Sequence, residues 1–336
     1  MSVPALFLHE PGQGPEVSLQ GFVRRNPWVR ITTDPLFVHH DRGAPTRRVA
    51  LVSGGGSGHE PMHVGFVGMG MLDAAVPGKI FASPHNRQVY EASKAVARAG
   101  GVLHIVKNYT GDKINFGIAA ERLAADGIEV GRVLVDDDVA TESDETATGR
   151  RGTAATIVVE KILGAAADRG DTLTSLTALG REVAEHSRSI AVATEALTSP
   201  NTGARAFELE PDQLEYGVGI HGERASTSIT RPPLGELVDR MLTDILASLP
   251  GDPRKPLLLL INGLGATTEL ELCTVLELAA RTLAARGREI SAVQVGTFVA
   301  ALDMSGFSIT LTQLADGWLD LWHAPTGAPA WKDTAR

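Results

Sequence analysis

The chain has 336 residues, and its 31 Lys and Arg against 40 Asp and Glu leave a formal net charge of −9. That length suits about two domains, the acidic balance argues against nucleic acid as a partner, and a single cysteine, Cys273, excludes a disulfide framework and a cysteine-built zinc site. Apolar runs such as residues 257–261 are far short of the ~20 residues a membrane span needs, and the first ten residues lack the basic segment of a secretory signal, so a cytoplasmic enzyme or ligand-binding protein is expected.

In chain order, the first clear strand is expected over 49–52, running into Ser53-Gly54-Gly55-Gly56-Ser57-Gly58-His59. A second strand is expected over 102–106, then Asn108-Tyr109-Thr110-Gly111-Asp112 and an Ala-rich helix to Ala125. A third, over 132–135, leads to Asp136-Asp137-Asp138, a turn at 149–152 and a helix over about 153–167. In the second half, 214–220 reads as a strand ending at His221-Gly222, and 256–261 as a buried strand before Asn262-Gly263-Leu264-Gly265. The helix after it carries Leu272, Val275, Leu276, Ala279 and Leu283 at helical spacing and stops at Gly287. A last strand is expected over 307–314. Short apolar runs without alternation suit strands buried on both faces, and strands alternating with helices predict a largely parallel sheet. The expected architecture is α/β in two domains, residues 1–185 and 186–336, each with a central mostly parallel or mixed sheet flanked by helices.

The segment Gly54-Gly55-Gly56-Ser57-Gly58-His59-Glu60-Pro61 carries the most chemical information. It is expected at the end of a strand, where open α/β sheets bind ligands. It is not a dinucleotide fingerprint, because His59 stands where the last glycine belongs, and not a P-loop, because no Lys follows. What remains is a run of unhindered backbone N–H groups with His59 at its rim, suited to a small oxygen-rich molecule. His59-Glu60-Pro61-Met62-His63 also fits the zinc-protease pattern, but Pro61 belongs at a helix start and leaves His59 off the helical face that His63 would occupy. No metal site is expected.

Lys107 and Asp112 follow the next strand and should lie on the same sheet edge. Asp112 suits a general base and equally the N-cap of the following helix; Lys107 suits a cation or donor. Asp136-Asp137-Asp138 reads as a solvated acidic loop rather than a magnesium site. His221, flanked by glycine after a strand, is a candidate cleft residue. Cys273 sits among apolar helix positions and reads as packing.

These segments resemble the signature of the dihydroxyacetone kinase K-subunit family. The likeness lies in 53–61, Lys107-Asn108-Tyr109-Thr110-Gly111-Asp112, Gly217-Val218-Gly219-Ile220-His221-Gly222-Glu223, 259–265 and Leu302-Asp303-Met304-Ser305-Gly306-Phe307-Ser308, in the family's order. The resemblance implies a cytoplasmic homodimer that binds dihydroxyacetone or a similar short ketose. It implies that His221, in the C-terminal domain, holds the ketone carbon as a hemiaminal. Gly56, Ser57, Gly58 and His59 would cradle the triose, with Ser83, Lys107 and Asp112 as further contacts. Asp112 and His59 would help to remove the proton from the terminal hydroxyl. It also implies no cofactor in this chain: ADP or ATP and magnesium would sit on a separate nucleotide-binding donor subunit, charged by ATP or phosphoenolpyruvate. At two places the chain departs from the family pattern. Arg224-Ala225 stand where the family has Pro, and 196–200 read Ala-Leu-Thr-Ser-Pro where it has Ser-Cys-x-Val-Pro. A four-carbon ketose such as erythrulose is therefore the alternative substrate, and a non-catalytic triose-binding regulator the alternative role.

Overall fold

In the computed structural model, residues 6–8, 14–40, 43–141, 149–224 and 228–332 are described. The strand that enters the glycines sits inside a six-stranded sheet. Its strands are β1 (Val29–Thr33), β2 (Leu36–His40), β3 (Ala50–Ser57), β4 (Ala74–Ile80), β5 (Val102–Lys107) and β6 (Val130–Val135), in the order β1-β2-β4-β3-β5-β6. The four strands β4, β3, β5 and β6 run parallel, and the β1–β2 hairpin adds antiparallel to their edge. Helices α1 (Gly14–Arg25), α2 (Asn86–Val96), α3 (Thr110–Ala125), α4 (Ala155–Arg169) and α5 (Leu173–Glu185) accompany this sheet in the chain. Val52, Val76, Val102 and Val106 form one core with Phe116 and Leu123 of α3, all fully buried. Covering both faces is what lets parallel strands be continuously apolar.

By its internal contacts the chain divides into two units. The described parts of Leu8–Val135, Thr156–Ala184 and Asp320–Arg336 form one, and those of Asp136–Ala155 and Glu185–Leu319 belong to the other. The second unit has its own six-stranded sheet. Its strands are β7 (Ser187–Glu195), β8 (Gln213–Tyr216), β9 (Ser228–Thr230), β10 (Leu257–Gly263), β11 (Ile290–Gly296) and β12 (Ser305–Gln313), in the order β11-β10-β12-β7-β8-β9. Only β10 and β11 are parallel neighbours, so this sheet is mixed and mostly antiparallel. α6 (Leu234–Ser248) and α7 (Glu269–Ala285) bury Met241, Ile245, Leu272, Val275 and Leu283 against it. Thr268 and Glu271 cap the start of α7 reciprocally, and Gly287 follows its end with φ +66°.

Several local expectations change. β3 does not stop at Val52 but runs through Ser57, and all eight residues are buried. β8 stops at Tyr216, because Gly217 turns the chain with φ +92°. The acidic run is not solvated: Asp137 and Asp138 are buried. Asp137 accepts from the N–H groups of Thr153 and Ala155, which organises the entry to α4. Arg151 pairs with Asp138 at 2.6 Å. Burial still raises the Asp138 carboxyl to about 6. Cys273 is exposed rather than packed, since it lies one position past the buried stripe of Leu272, Val275 and Ala279. No helix among the described residues is long and apolar enough to cross a membrane.

Candidate active site

The glycines of β3 are needed because the strand runs in contact with its surroundings. A Cβ on Gly54 would come within 2.5 Å of the Val76 carbonyl oxygen of β4, and one on Gly55 would land on Lys107 Nζ. On Gly56 it would stand 2.7 Å from the Ala82 nitrogen. The ladder to β4 continues as far as Ser57 opposite Ile80. Part of the expected open backbone is therefore paired in the sheet, with a register shift between Gly55 and Ser57, while the pairing of β3 with β5 ends at Ser53. Gly58, at φ +104°, gives its N–H to Glu60 Oε2 at 2.8 Å, and Ser57 Oγ donates to the Gly78 carbonyl at 2.8 Å. The cradle is close-fitting backbone.

Around this strand end the fold gathers most of the expected residues. His59 is fully buried, its ring centroid 5.2 Å from that of Phe81. Ser83 Oγ lies 2.6 Å from where a Cβ of Gly111 would be, which puts it beside the first turn of α3. Asp112 is the third residue of that helix, and Tyr109 holds the N-cap position, so Asp112 is not the cap. An acid in the first turn is still favoured by the helix dipole. Asp112 Oδ2 stands 3.7 Å from Lys107 Nζ, with side chains 3% and 0% exposed. Asp112 Oδ1 is buried and accepts no hydrogen bond among the described residues. Leaving a carboxylate oxygen in that condition is costly.

Lys107 also touches the Gly54 carbonyl at 3.2 Å and His63 Nε2 at 2.9 Å. Burial pulls its ammonium below the usual lysine range, against the pull of Asp112 and Glu160. His63 reaches Glu160 Oε1 through Nδ1 at 2.6 Å. Burial, then Lys107 and His59, hold the His63 ring well below the ordinary histidine value. Burial raises the Glu160 carboxyl to about 8. Residues 59–63 form turns rather than a helix, so His59 and His63 share no helical face and the zinc-protease geometry is missing. Among the described residues no cluster of three or more His, Cys, Asp or Glu is placed to hold a metal. Sequence reading missed Glu160 altogether, since it lies 97 positions from His63 and carries no local motif.

His221 belongs to the second unit, on the turn after β8. Glu223 Oε1 lies 3.0 Å from its Nδ1, and Glu223 Oε2 accepts the His221 N–H at 3.0 Å. Burial would raise Glu223, but His221 and Arg151 outweigh it and bring the carboxyl down to about 2. The departing Arg224 ties this turn to β8, meeting Glu215 Oε1 at 2.8 Å. Ala225 lies outside the described residues. In the departing loop, Thr198 donates its N–H to Asp303 Oδ1 at 2.6 Å, which anchors that loop to the turn before β12.

A mixed α/β fold here seats a buried acid beside a buried lysine at the carboxyl ends of parallel strands, the place where open α/β sheets bind small ligands. The chain belongs to the Dak1 domain family, whose model matches residues 20–330. It is similar to the PEP-dependent dihydroxyacetone kinase, dihydroxyacetone-binding subunit DhaK, of Escherichia coli strain K12, with 38% identity covering 93% of this chain and 94% of that protein. It resembles the dihydroxyacetone kinase of C. freundii solved in complex with AMP-PNP and Mg2+, at TM-score 0.90 and 34% identity, over 98% of this chain and 61% of that one. It resembles equally the dihydroxyacetone kinase operon co-activator Dha-DhaQ, at TM-score 0.90 and 32% identity, over 94% and 98% of the two chains. The expected family and fold class are thereby established.

Proposed function

We propose that this chain is the ketose-binding, catalytic subunit of a dihydroxyacetone phosphotransferase. The observation that carries the reading is the buried Asp112 carboxylate, with one oxygen toward Lys107 and the other accepting no hydrogen bond among the described residues.

A short polyol has little apolar surface, so hydrogen bonds alone hold it weakly in water. Covalent capture answers this and rejects alcohols that lack a carbonyl. Glu223 at Nδ1 favours the His221 tautomer whose lone pair is on Nε2. That lone pair adds to the ketone carbon, the carbon–oxygen π pair moves to oxygen, and the oxygen takes a proton. The positive charge left on the ring is met by ionised Glu223. The terminal hydroxyl of the held ketose gives its proton to Asp112 as its oxygen attacks phosphorus. His59 assists, and Ser83, Lys107 and the backbone of Gly56-Ser57-Gly58 orient the hydroxyls. A nucleoside triphosphate with magnesium on a separate donor subunit would supply the phosphoryl group, its bond to the β–γ bridging oxygen breaking as the new bond forms and the diphosphate leaving. The active form is a cytoplasmic homodimer.

The likeness to an operon co-activator favours a second reading, a triose-binding regulator without turnover. Retention of Asp112, His59 and His221 in one chain supports the enzyme. The test is phosphorylation of dihydroxyacetone and of erythrulose in the presence of a donor subunit. Ketose bound without any turnover would select the regulator.

A further inference from the structure

His63 and Glu160 have no part in the chemistry above, yet both are packed beneath it. His63 and Glu160 side chains are 4% and 0% exposed. With Lys107 and Asp112 they make one line of contacts drawn from α4, the turns after β3, the end of β5 and the first turn of α3.

The directions of these contacts follow from their donors. Ser53 Oγ gives its proton to the Ile105 carbonyl at 2.8 Å, so toward His63 Nδ1, 3.0 Å away, it can only accept. Glu160 Oε1, 2.6 Å from the same nitrogen, accepts there as a carboxylate or through the carbonyl oxygen of the neutral acid, and donates there only when the acid proton sits on Oε1. With Glu160 accepting, Nδ1 carries the proton. On the other side of the ring an ammonium has donors and no acceptor, so Nε2 must present its lone pair to Lys107. The Lys107 edge, with the lysine as an ammonium, requires this tautomer, and the Glu160 edge accommodates it. Gly54 O takes a second Lys107 N–H at 3.2 Å, and Asp112 Oδ2 lies 3.7 Å from the same nitrogen.

We propose that His63 and Glu160 are positioning residues: Glu160 and Ser53 fix His63 with its proton on Nδ1, and Nε2 then holds the Lys107 ammonium beside Asp112. The consequence for turnover rests on the reading of Asp112 as the base, while the tautomer itself does not. Charged and titratable groups face this line from all sides: Lys107 and His59 toward His63, and Asp112 and Glu160 toward Lys107.

The test is nitrogen NMR of the full chain labelled with 15N histidine, with the His63 signals assigned by their loss in His63→Gln. At neutral pH Nδ1 should be protonated and Nε2 bare; a protonated Nε2 overturns the proposal. No ketose or donor subunit is present, so this result is separable from failure of the enzymatic reading. Glu160→Gln keeps the acceptor and Glu160→Met removes it at similar volume. In Glu160→Met the single tautomer should give way to a mixture, and kcat should fall on the order of 10–100-fold with KM for the ketose nearly constant. Glu160→Gln should restore the tautomer and most of that kcat. An unaltered tautomer and kcat in Glu160→Met would sink the idea. Should that variant not fold, the wild-type and Glu160→Gln spectra decide alone.

Discussion

Lys107 Nζ lies 3.7 Å from Asp112 Oδ2, and both side chains are shut away from solvent. A buried ion pair of this kind contributes little to stability by itself, because desolvation offsets the attraction. In the function proposed above its role is chemical. β5 ends at Lys107 and α3 starts three residues later, so the strand-to-helix turn sets the spacing of the cation and the acid.

Asp112→Asn keeps the volume and removes the base. Turnover with a donor subunit should drop about 10²–10⁴-fold, the usual worth of a positioned general base, while ketose still binds. Steady-state kinetics paired with titration calorimetry separate the two. Near-normal turnover would reduce Asp112 to a favourable charge at a helix start.

Two neighbouring glycines should fail differently. In Gly54→Ala the new methyl meets a backbone oxygen of β4, which cannot swing away. The cost should be about 1–3 kcal/mol of stability, as for other overpacked cores. In Gly55→Ala the methyl meets the end of the Lys107 side chain. The fold should survive with Lys107 displaced, so kcat should fall while the urea midpoint hardly moves. Equal losses of stability in both variants would contradict this.

The same glycines show where sequence reading succeeds and where it fails. Unbroken apolar runs announced β3, β5, β6 and β10, because strands covered on both faces need no polar alternation. β4 was not legible: Ala74, Ala75, Pro77 and Gly78 carry no strand pattern, and the strand is held by its neighbours. Gly54 to Gly56 read as a ligand-binding loop beyond the strand end, since glycine usually breaks a strand. Here the missing side chain lets Lys107 and the 81–82 turn press against a strand. Asp112, Lys107, His59 and His221 were visible because each closes a local motif. Glu160 was not, because its meaning comes from a partner distant in the chain.

Glu160 should also leave a mark on stability. Burial raises it to about 8 from a usual 4.5, so the folded chain keeps a proton that the unfolded chain releases. That contribution is complete below about pH 4.5 and is lost as pH rises through about 8, with a slope of at most about 1.4 kcal/mol per pH unit. Glu160→Gln has no such proton. Its urea midpoint should decline less between pH 5 and pH 9 than that of the parent chain. Both chains share the opposite trend from His63, so their difference isolates Glu160. Parallel declines would mean that Glu160 is already ionised in the folded chain.

The capture step makes the last prediction. His221→Ala removes the nucleophile and should abolish attachment of dihydroxyacetone, read as ligand density in soaked crystals or as an adduct in native mass spectra. Undiminished attachment would end the assignment. Glu223 is the sharper probe. It stays ionised far into acid, at about 2, under the hold of His221 and Arg151. Its share of stability is thus present above the ordinary glutamate value and is lost only as pH falls toward 2. Glu223→Gln can still accept from Nδ1 but brings no charge to a ring that becomes cationic on addition. Attachment should persist and weaken roughly tenfold, the loss expected of one charge-assisted contact that is partly solvated. An adduct just as tight in Glu223→Gln would show that the carboxylate orients the ring without stabilising its charge.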